Sequence, residues 1–366
     1  MHGIGLLLTA AALVTAASLQ QLHQQLAPRC DRRSALLGVC AAALERSPAH
    51  AAERIPTWRL AGGVEFPTLA LNTAGLTVGG SELAFRNAIA AGISHVEFHP
   101  GTECNGVARV LPSVARESVF LNTKIETGWE RGTSPSAAAA SVRKRLDKDL
   151  AVLGVDYLDM LMLRESPDCA VMQAMWSEME KAKAEGRVRS LGVVNYCEGA
   201  LKCLLSTAKE LPSVNYVQLH AGMGPDSGGL RAFGESRGIR TFAYGHLGER
   251  ARPKDDTEEL LASPTLQRIG AAHGRKTVED VALRWVLQSG AAASVRPTAD
   301  FGTCDATSGA CADGLRASAN AFSWTLTPAE MQEIDAMQSP KGYSTLFSSP
   351  GCPDSFFSFL RPLYSS

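Results

Sequence analysis

Residues 157–194 read YLDMLMLRESPDCAVMQAMWSEMEKAKAEGRVRSLGVV. Tyr157–Leu163 is a short apolar run of strand character. Ala170–Gly186 reads as a helix stopped by its glycine, and Ser190–Val194 is a second strand. A strand, a helix and a strand in that order build a parallel pair, because the chain must return through a crossover before pairing again.

The same alternation continues on both sides. Upstream, Thr68–Asn72 (TLALN), His95–Phe98 and Glu117–Lys124 (ESVFLNTK) are strands. Ser81–Ala91 is a helix with Leu83, Phe85 and Ile89 on one side. Ser134-Pro135 supplies an N-cap and a proline at the first helical position, opening a helix to about Leu153. Downstream, Ala200–Leu211 is a helix ended before Pro212, and Val214–Gln218, Thr241–Gly245 and Ala292–Val295 are strands. Helices at Leu230–Arg237 and Val278–Gln288 separate them. Eight such units over roughly 250 residues is the count of a closed α/β (β/α)8 TIM barrel. A doubly wound sheet would carry a glycine-rich phosphate turn after its first strand. Here Thr73-Ala74-Gly75 follows instead, and no GxGxxG or P-loop occurs.

In a barrel the chemistry sits at the carboxyl ends of the strands. That selects Glu97 to Thr102, Lys124, Arg164, Val194-Asn195, Tyr216, Tyr244-Gly245 and Arg296. His99 lies two residues beyond Glu97, and Glu103 one beyond Thr102; a histidine near neutrality can act as a general acid. His220 and His246 reach the mouth by the same logic.

Composition agrees with a globular protein. The chain has 366 residues, 45% hydrophobic and 20% charged, with a net charge of −1. This excludes wholesale disorder and a multi-pass membrane protein, and the near-neutral charge excludes a general nucleic-acid binder. Nine cysteines are too few for a disulfide scaffold, and none has zinc spacing.

The first 52 residues read differently from the rest. Ile4–Leu19 is an uncharged 16-residue run that suits a secretory h-region, with an uncleaved anchor as the alternative. Asp31-Arg32-Arg33-Ser34 then leads into a second apolar run and Ser47-Pro48-Ala49-His50-Ala51-Ala52. That is a twin-arginine-type signal, with an ordinary amphipathic helix as its alternative. The tandem resembles the multipartite presequences of algae with complex plastids. It implies delivery to the plastid, as far as the thylakoid lumen, with the secretory pathway as the other destination and no stable membrane anchor after processing. Residues 1–52 are therefore expected to be a leader and residues 53–366 the barrel domain. Arg29, Arg32, Arg33 and Arg46 against Asp31 and Glu45 give the leader +2 and leave the remainder at −3.

Several segments resemble the aldo-keto reductase superfamily over about residues 56–340. Trp58–Pro67 (WRLAGGVEFP) is similar to its N-terminal β-hairpin, Ala88–Glu97 (AIAAGISHVE) to its AI-x-x-G-x-R-H-x-D, and Phe120–Lys124 to its F-x-x-TK. Leu153–Leu163 (LGVDYLDMLML), Gly186–Tyr196 (GRVRSLGVVNY), Gly238–Gly248 (GIRTFAYGHLG) and Val281–Gln288 (VALRWVLQ) resemble further family motifs in the same order. The resemblance implies a hydride passed from NADP(H) to a small-molecule carbonyl, with a tyrosine, lysine, aspartate and histidine around it. Carried over, the lysine is Lys124, the aspartate is Glu97, the histidine is Arg164 and the tyrosine position falls at about Thr102. Threonine is a far weaker acid than a phenol. His99 is the substitute proton donor to check.

The resemblance places the cofactor as follows. The Ser-Asn pair that grips the nicotinamide carboxamide reads Val194-Asn195, and the expected glutamine is Tyr216. The stacking tyrosine is Tyr244, and Leu247 stands in the loop that follows it. The residues for the adenosine 2′-phosphate are Arg296 and Thr298; arginine can grip a phosphate bidentately. Glu97, Lys124 and Arg164 are expected to form a charged cluster at adjacent strand ends, either holding an anionic ligand or closing on itself as salt bridges. An insertion at about Asp300–Gly314 carries Cys304 and Cys311, which are either a small disulfide loop or two free thiols. Glu249–Ser263 occupies the loop where the family folds a flap over the cofactor, and reads as a solvated helix. Thr327-Pro328-Ala329-Glu330 is a capping box opening a helix to about Met337, and the aromatic tail from Ser339 is expected to pack across the mouth. Two functions follow: a carbonyl oxidoreductase with altered or weak activity, or an inactive barrel serving as a ligand-binding or regulatory scaffold.

Overall fold

Strands β1 (Thr57–Arg59) and β2 (Glu65–Pro67) pair antiparallel, Trp58 opposite Phe66. Three residues per strand cannot stand alone, since an isolated hairpin is marginal in water. Phe66 anchors this one. It is fully buried and meets His95, Phe120 and Phe242 edge-on at ring distances of 4.8, 5.3 and 5.3 Å. The computed structural model describes residues 54–125, 133–164, 166, 168–226, 229–248, 256–297, 304 and 309–337. The leader 1–52, Thr298 and the tail from Ser339 lie outside them, as does the loop 249–255.

Eight parallel strands follow: β3 (Leu69–Asn72), β4 (His95–Phe98), β5 (Phe120–Ile125), β6 (Leu158–Arg164), β7 (Val188–Val194), β8 (Val214–Gln218), β9 (Arg240–Tyr244) and β10 (Ala292–Val295). They pair in chain order, and β10 closes on β3, making the expected barrel. The hairpin stops its amino-terminal end, because two of the three rings on Phe66 belong to the first residues of β4 and β5. Alternation sorts the side chains. Ala70, Met160, Met162, Val214, Tyr216 and Phe242 fill the interior, while Leu71, Val96, Leu121, Leu161, Val217 and Ala243 face the helices. Gly192 is required by that interior: a Cβ there would lie 2.9 Å from Val214 Cγ2 and 3.1 Å from Met162 Cγ.

The surrounding helices among the described residues are α1 (Val78–Ala90), α2 (Thr102–Ala108), α3 (Pro135–Leu153), α4 (Cys169–Ala184), α5 (Glu198–Leu205), α6 (Leu230–Glu235), α7 (Asp256–Leu261), α8 (Pro264–Ala272), α9 (Val278–Gln288), α10 (Ala310–Ala319) and α11 (Pro328–Asp335). Ser134 caps α3 as expected, and both Thr277 of α9 and Thr327 of α11 form capping boxes. Several boundaries differ from the sequence reading. The strand expected from Glu117 begins at Phe120, because Arg116–Ser118 is a 3-10 turn. The helix expected to Leu211 ends at Leu205. The short helix α2 was not expected, since a glycine-rich turn precedes it without a side-chain cap.

Cys169 at the start of α4 is bonded to Cys203 in α5, and Cys304 to Cys311. The second bond resolves the alternative left open by spacing. Among the described residues no helix is long and apolar enough to cross a membrane.

Candidate active site

Glu97 and Lys124 lie on adjacent parallel strands, and alternation turns both inward, Glu97 with His95 and Lys124 with Phe120. Lys124 Nζ stands 2.6 Å from Glu97 Oε1, with side-chain exposures of 5% and 0%. A buried charge needs such a partner, since either ion alone would carry the full desolvation cost.

Tyr216 forms the floor beneath this pair. Its hydroxyl donates to Glu97 Oε2 at 3.4 Å, shares a 2.6 Å bond with Ser294 Oγ and accepts from Asn72 Nδ2 at 2.9 Å. Lys124 Nζ sits 5.3 Å from the centre of the Tyr216 ring. Burial, and then the charge of Glu97, push the phenol well above its ordinary value of 10. Tyr216 therefore keeps its proton and points it into the barrel.

Tyr244 makes a second feature of the mouth. It is half-buried, lies tilted on Tyr216 at 5.0 Å, and its hydroxyl donates to Asn195 Oδ1 at 2.9 Å. Asn195 is in the left-handed region (φ 60°) with its backbone N–H on the Tyr216 carbonyl. Asparagine tolerates this conformation better than most residues. The turn Gly245–Gly248 follows, with Leu247 buried beneath it.

On the β4 side, His99 and Glu103 form a dyad. His99 Nδ1 is 2.9 Å from Glu103 Oε2, and the same oxygen accepts from the backbone N–H of His99 at 2.8 Å. Thr73 Oγ1 donates to it at 3.2 Å, and the Gly75 N–H donates to Oε1 at 2.8 Å. Burial alone would raise the carboxyl of Glu103. The His99 side chain and the two backbone N–H groups outweigh it, so the group sits below its ordinary 4.5. The His99 side chain keeps 25% of its exposure.

The remaining expected residues are placed as follows. Arg164 ends β6, half-buried, two residues past the inward Met162 and one strand further round the rim from Lys124. Glu97 and Lys124 thus contact each other directly, with Arg164 beside them on the rim. Arg296 is half-buried just beyond β10. Thr102 is exposed as the first residue of α2. His246 is buried in the turn after β9.

Sequence reasoning missed Asn72, Ser294 and Gln218. Each is a polar residue at an inward position near the carboxyl end of a strand, and counting alternate residues from the apolar interior would have found them. His220 Nε2 and Gln218 Nε2 are buried without a hydrogen-bond partner. No group of three metal-ligating side chains occurs among the described residues.

Comparison with known proteins bears on the family and the fold. The profile of the Aldo/keto reductase family matches residues 85–339. An aldo-keto reductase of Mycobacterium avium (strain 104) is 30% identical over 238 residues, covering 64% of this chain and 77% of that protein. NADPH-dependent codeinone reductase 1-1 of Papaver somniferum is 26% identical over 320 residues, covering 80% and 92%. The crystal structure of an aldo/keto reductase from Brucella melitensis superimposes with a TM-score of 0.65 at 26% identity, covering 77% of this chain and 97% of the other.

Proposed function

The chain belongs to the aldo/keto reductase family, an oxidoreductase family, and from that premise we propose that it is an NADP(H)-dependent enzyme that reduces a small-molecule carbonyl at the carboxyl face of its barrel. The observation that carries this reading is the buried Glu97–Lys124 pair at 2.6 Å in the same mouth as Tyr244 and Asn195.

The donor set fits a nicotinamide dinucleotide. Tyr244 offers a half-buried aromatic face with its ring angle set by the bond to Asn195. Leu247 lies in the turn beside it, and Arg296, with Thr298 after it, supplies the cation and hydroxyl suited to a 2′-phosphate. When bound, the reduced nicotinamide supplies a hydride.

The protein's own groups handle charge and proton. Lys124, fixed by Glu97, is a preorganised cation for an oxygen that gains negative charge. Arg164 on the rim orients an anionic part of the substrate. His99 is placed to hand over the proton: its Nδ1 is tied to the buried Glu103 carboxylate, and its ring reaches solvent. Thr102 is exposed and too weak an acid, and the Tyr216 proton is committed to Glu97.

One observation favours a second reading. The position where relatives of this family are expected to carry a tyrosine is Thr102, away from the ion pair on α2, which suits a barrel kept for ligand binding or regulation with weak or no turnover. Titration of the full chain with NADPH, followed by fluorescence, separates the two. Micromolar binding with slow aldehyde-dependent NADPH oxidation supports the enzyme. No binding at millimolar NADPH supports the scaffold.

The disulfides Cys169–Cys203 and Cys304–Cys311 support an oxidising compartment, in keeping with residues 1–52 acting as a leader. Fused to a fluorescent reporter in an alga with complex plastids, residues 1–52 are expected to deliver it to the plastid; arrest in the endoplasmic reticulum would favour the secretory route.

A further inference from the structure

A cavity of about 340 Å³ lies at the amino-terminal face of the barrel. Thr68 and Ala291, which line it, stand immediately before β3 and β10, so it sits at the opposite end of the strands from Glu97 and Lys124. Its volume falls within the roughly 300–1,000 Å³ typical of small-molecule sites. None of the residues assigned above to substrate or cofactor lines it.

The walls are of two kinds. Pro56, Trp58, Leu287 and Phe322 are apolar, whereas Arg54 and Arg284 are cationic. No carboxylate occurs among the described residues of the lining. Thr68, the remaining polar side chain, donates to the Pro56 carbonyl at 2.9 Å. Arg284 is held in place, its Nε donating to Gln288 Oε1 and its Nη1 to the Ala321 carbonyl, both at 3.1 Å. Trp58 is fixed by the Phe66 ring at 5.6 Å and by the Arg240 guanidinium, 4.8 Å from its ring centre. Arg240 thereby adds a third cation beside the cavity. Arg86, Arg143, Arg187 and Arg268 on other parts of the surface each meet a carboxylate. Arg54 and Arg240 have no such partner among the described residues.

A guanidinium can grip a carboxylate through two parallel hydrogen bonds, and apolar walls gain by covering an apolar body. We propose that this cavity binds a small carboxylate with an apolar, ring-sized body. The carboxylate sits on Arg54 in the field of Arg284, and the body lies against Trp58, Leu287 and Phe322. An inorganic anion would leave the apolar walls uncovered, and a neutral molecule would leave Arg54 unmatched. The site stands apart from the carbonyl and cofactor reading above and does not depend on it.

Isothermal titration of the full chain with 1-naphthoate, its neutral isostere 1-naphthamide and acetate tests this. Naphthoate is expected to bind at least about tenfold tighter than either. Arg54→Glu should remove that preference and Arg54→Lys should keep most of it. Arg54 is exposed, so neither change should alter the melting temperature. Arg164→Gln, at the opposite face, should leave naphthoate binding as it is. Equal binding of naphthoate and naphthamide would reduce the cavity to an apolar hollow, and equal binding of acetate would reduce it to a surface charge; either overturns the proposal. Unchanged binding in Arg54→Glu, or none by wild type at millimolar naphthoate, would overturn it as well. Loss of binding in Arg164→Gln would put the anion in the barrel mouth and end the proposal too.

Discussion

Lys124 Nζ and Glu97 Oε1 are 2.6 Å apart inside the barrel mouth, and neither side chain has appreciable contact with solvent. The pair places a fixed cation at the carboxyl ends of β4 and β5, and each ion depends on the other for its place there. Lys124→Met is expected to abolish carbonyl reduction and to destabilise the fold by about 3–5 kcal/mol, because Glu97 is left as an uncompensated charge. The double variant Glu97→Gln/Lys124→Met is expected to recover much of the stability and none of the activity. Denaturant unfolding and NADPH-oxidation assays on the three proteins check this; a stable, active Lys124→Met would refute the assignment.

His99 is expected to supply the proton, with Glu103 holding its ring. His99→Gln should lower turnover by about 10²-fold or more, the usual cost of losing a general acid, while NADPH affinity changes little. Glu103→Gln, which removes the carboxylate that holds the His99 ring, should lower turnover in the same direction. Unaltered turnover in His99→Gln would show that the proton comes from elsewhere.

Acid should destabilise the fold through two interior histidines. Burial lowers His95 to about 3 and His220 to about 4, both from 6.5. The unfolded chain takes up these protons below pH 6.5 and the folded chain does not. The stability is therefore complete above pH 6.5 and is lost as pH falls toward 4, by about 1.4 kcal/mol per pH unit for each histidine. Below 4 only His95 continues to contribute. His95→Gln is expected to halve the slope between pH 6 and 4, read from urea midpoints across that range.

Gly192→Ala tests the packing of the interior. Its Cβ would come 2.9 Å from Val214 Cγ2, closer than real contacts allow. Overpacking of this kind costs about 1–3 kcal/mol. Adding Val214→Ala should restore part of the loss, and failure to do so would show that the strain lies elsewhere.

Reduction should loosen the α4–α5 side of the barrel. The Cys169–Cys203 bond closes a loop of 34 residues, for which chain entropy gives roughly 3–4 kcal/mol. Cys203→Ser is expected to lower the melting temperature by several degrees, and dithiothreitol should then have little further effect at this bond. Equal melting temperatures for oxidised wild type and Cys203→Ser would mean that the bond contributes nothing.

Much of this protein was legible in the linear chain. The alternation of apolar strands with capped helices predicted eight strands and their parallel sense, because burial on both faces and the crossover leave few other arrangements. The strand ends marked Glu97, Lys124, Asn195 and Tyr244, since period-two alternation makes inward positions countable along one strand. The sequence could not say which inward residues meet across the barrel, because that depends on closure and register between strands far apart in the chain. Only the tertiary structure brought the Tyr216 hydroxyl to Glu97, Asn72 and Ser294. Only it tied His99 to Glu103, left Thr102 exposed and buried Gln218 without a partner. Local sequence determines which way a side chain faces; the closed sheet decides what it meets, because hydrogen bonds and ion pairs act over about 3 Å between residues that as many as 144 positions separate.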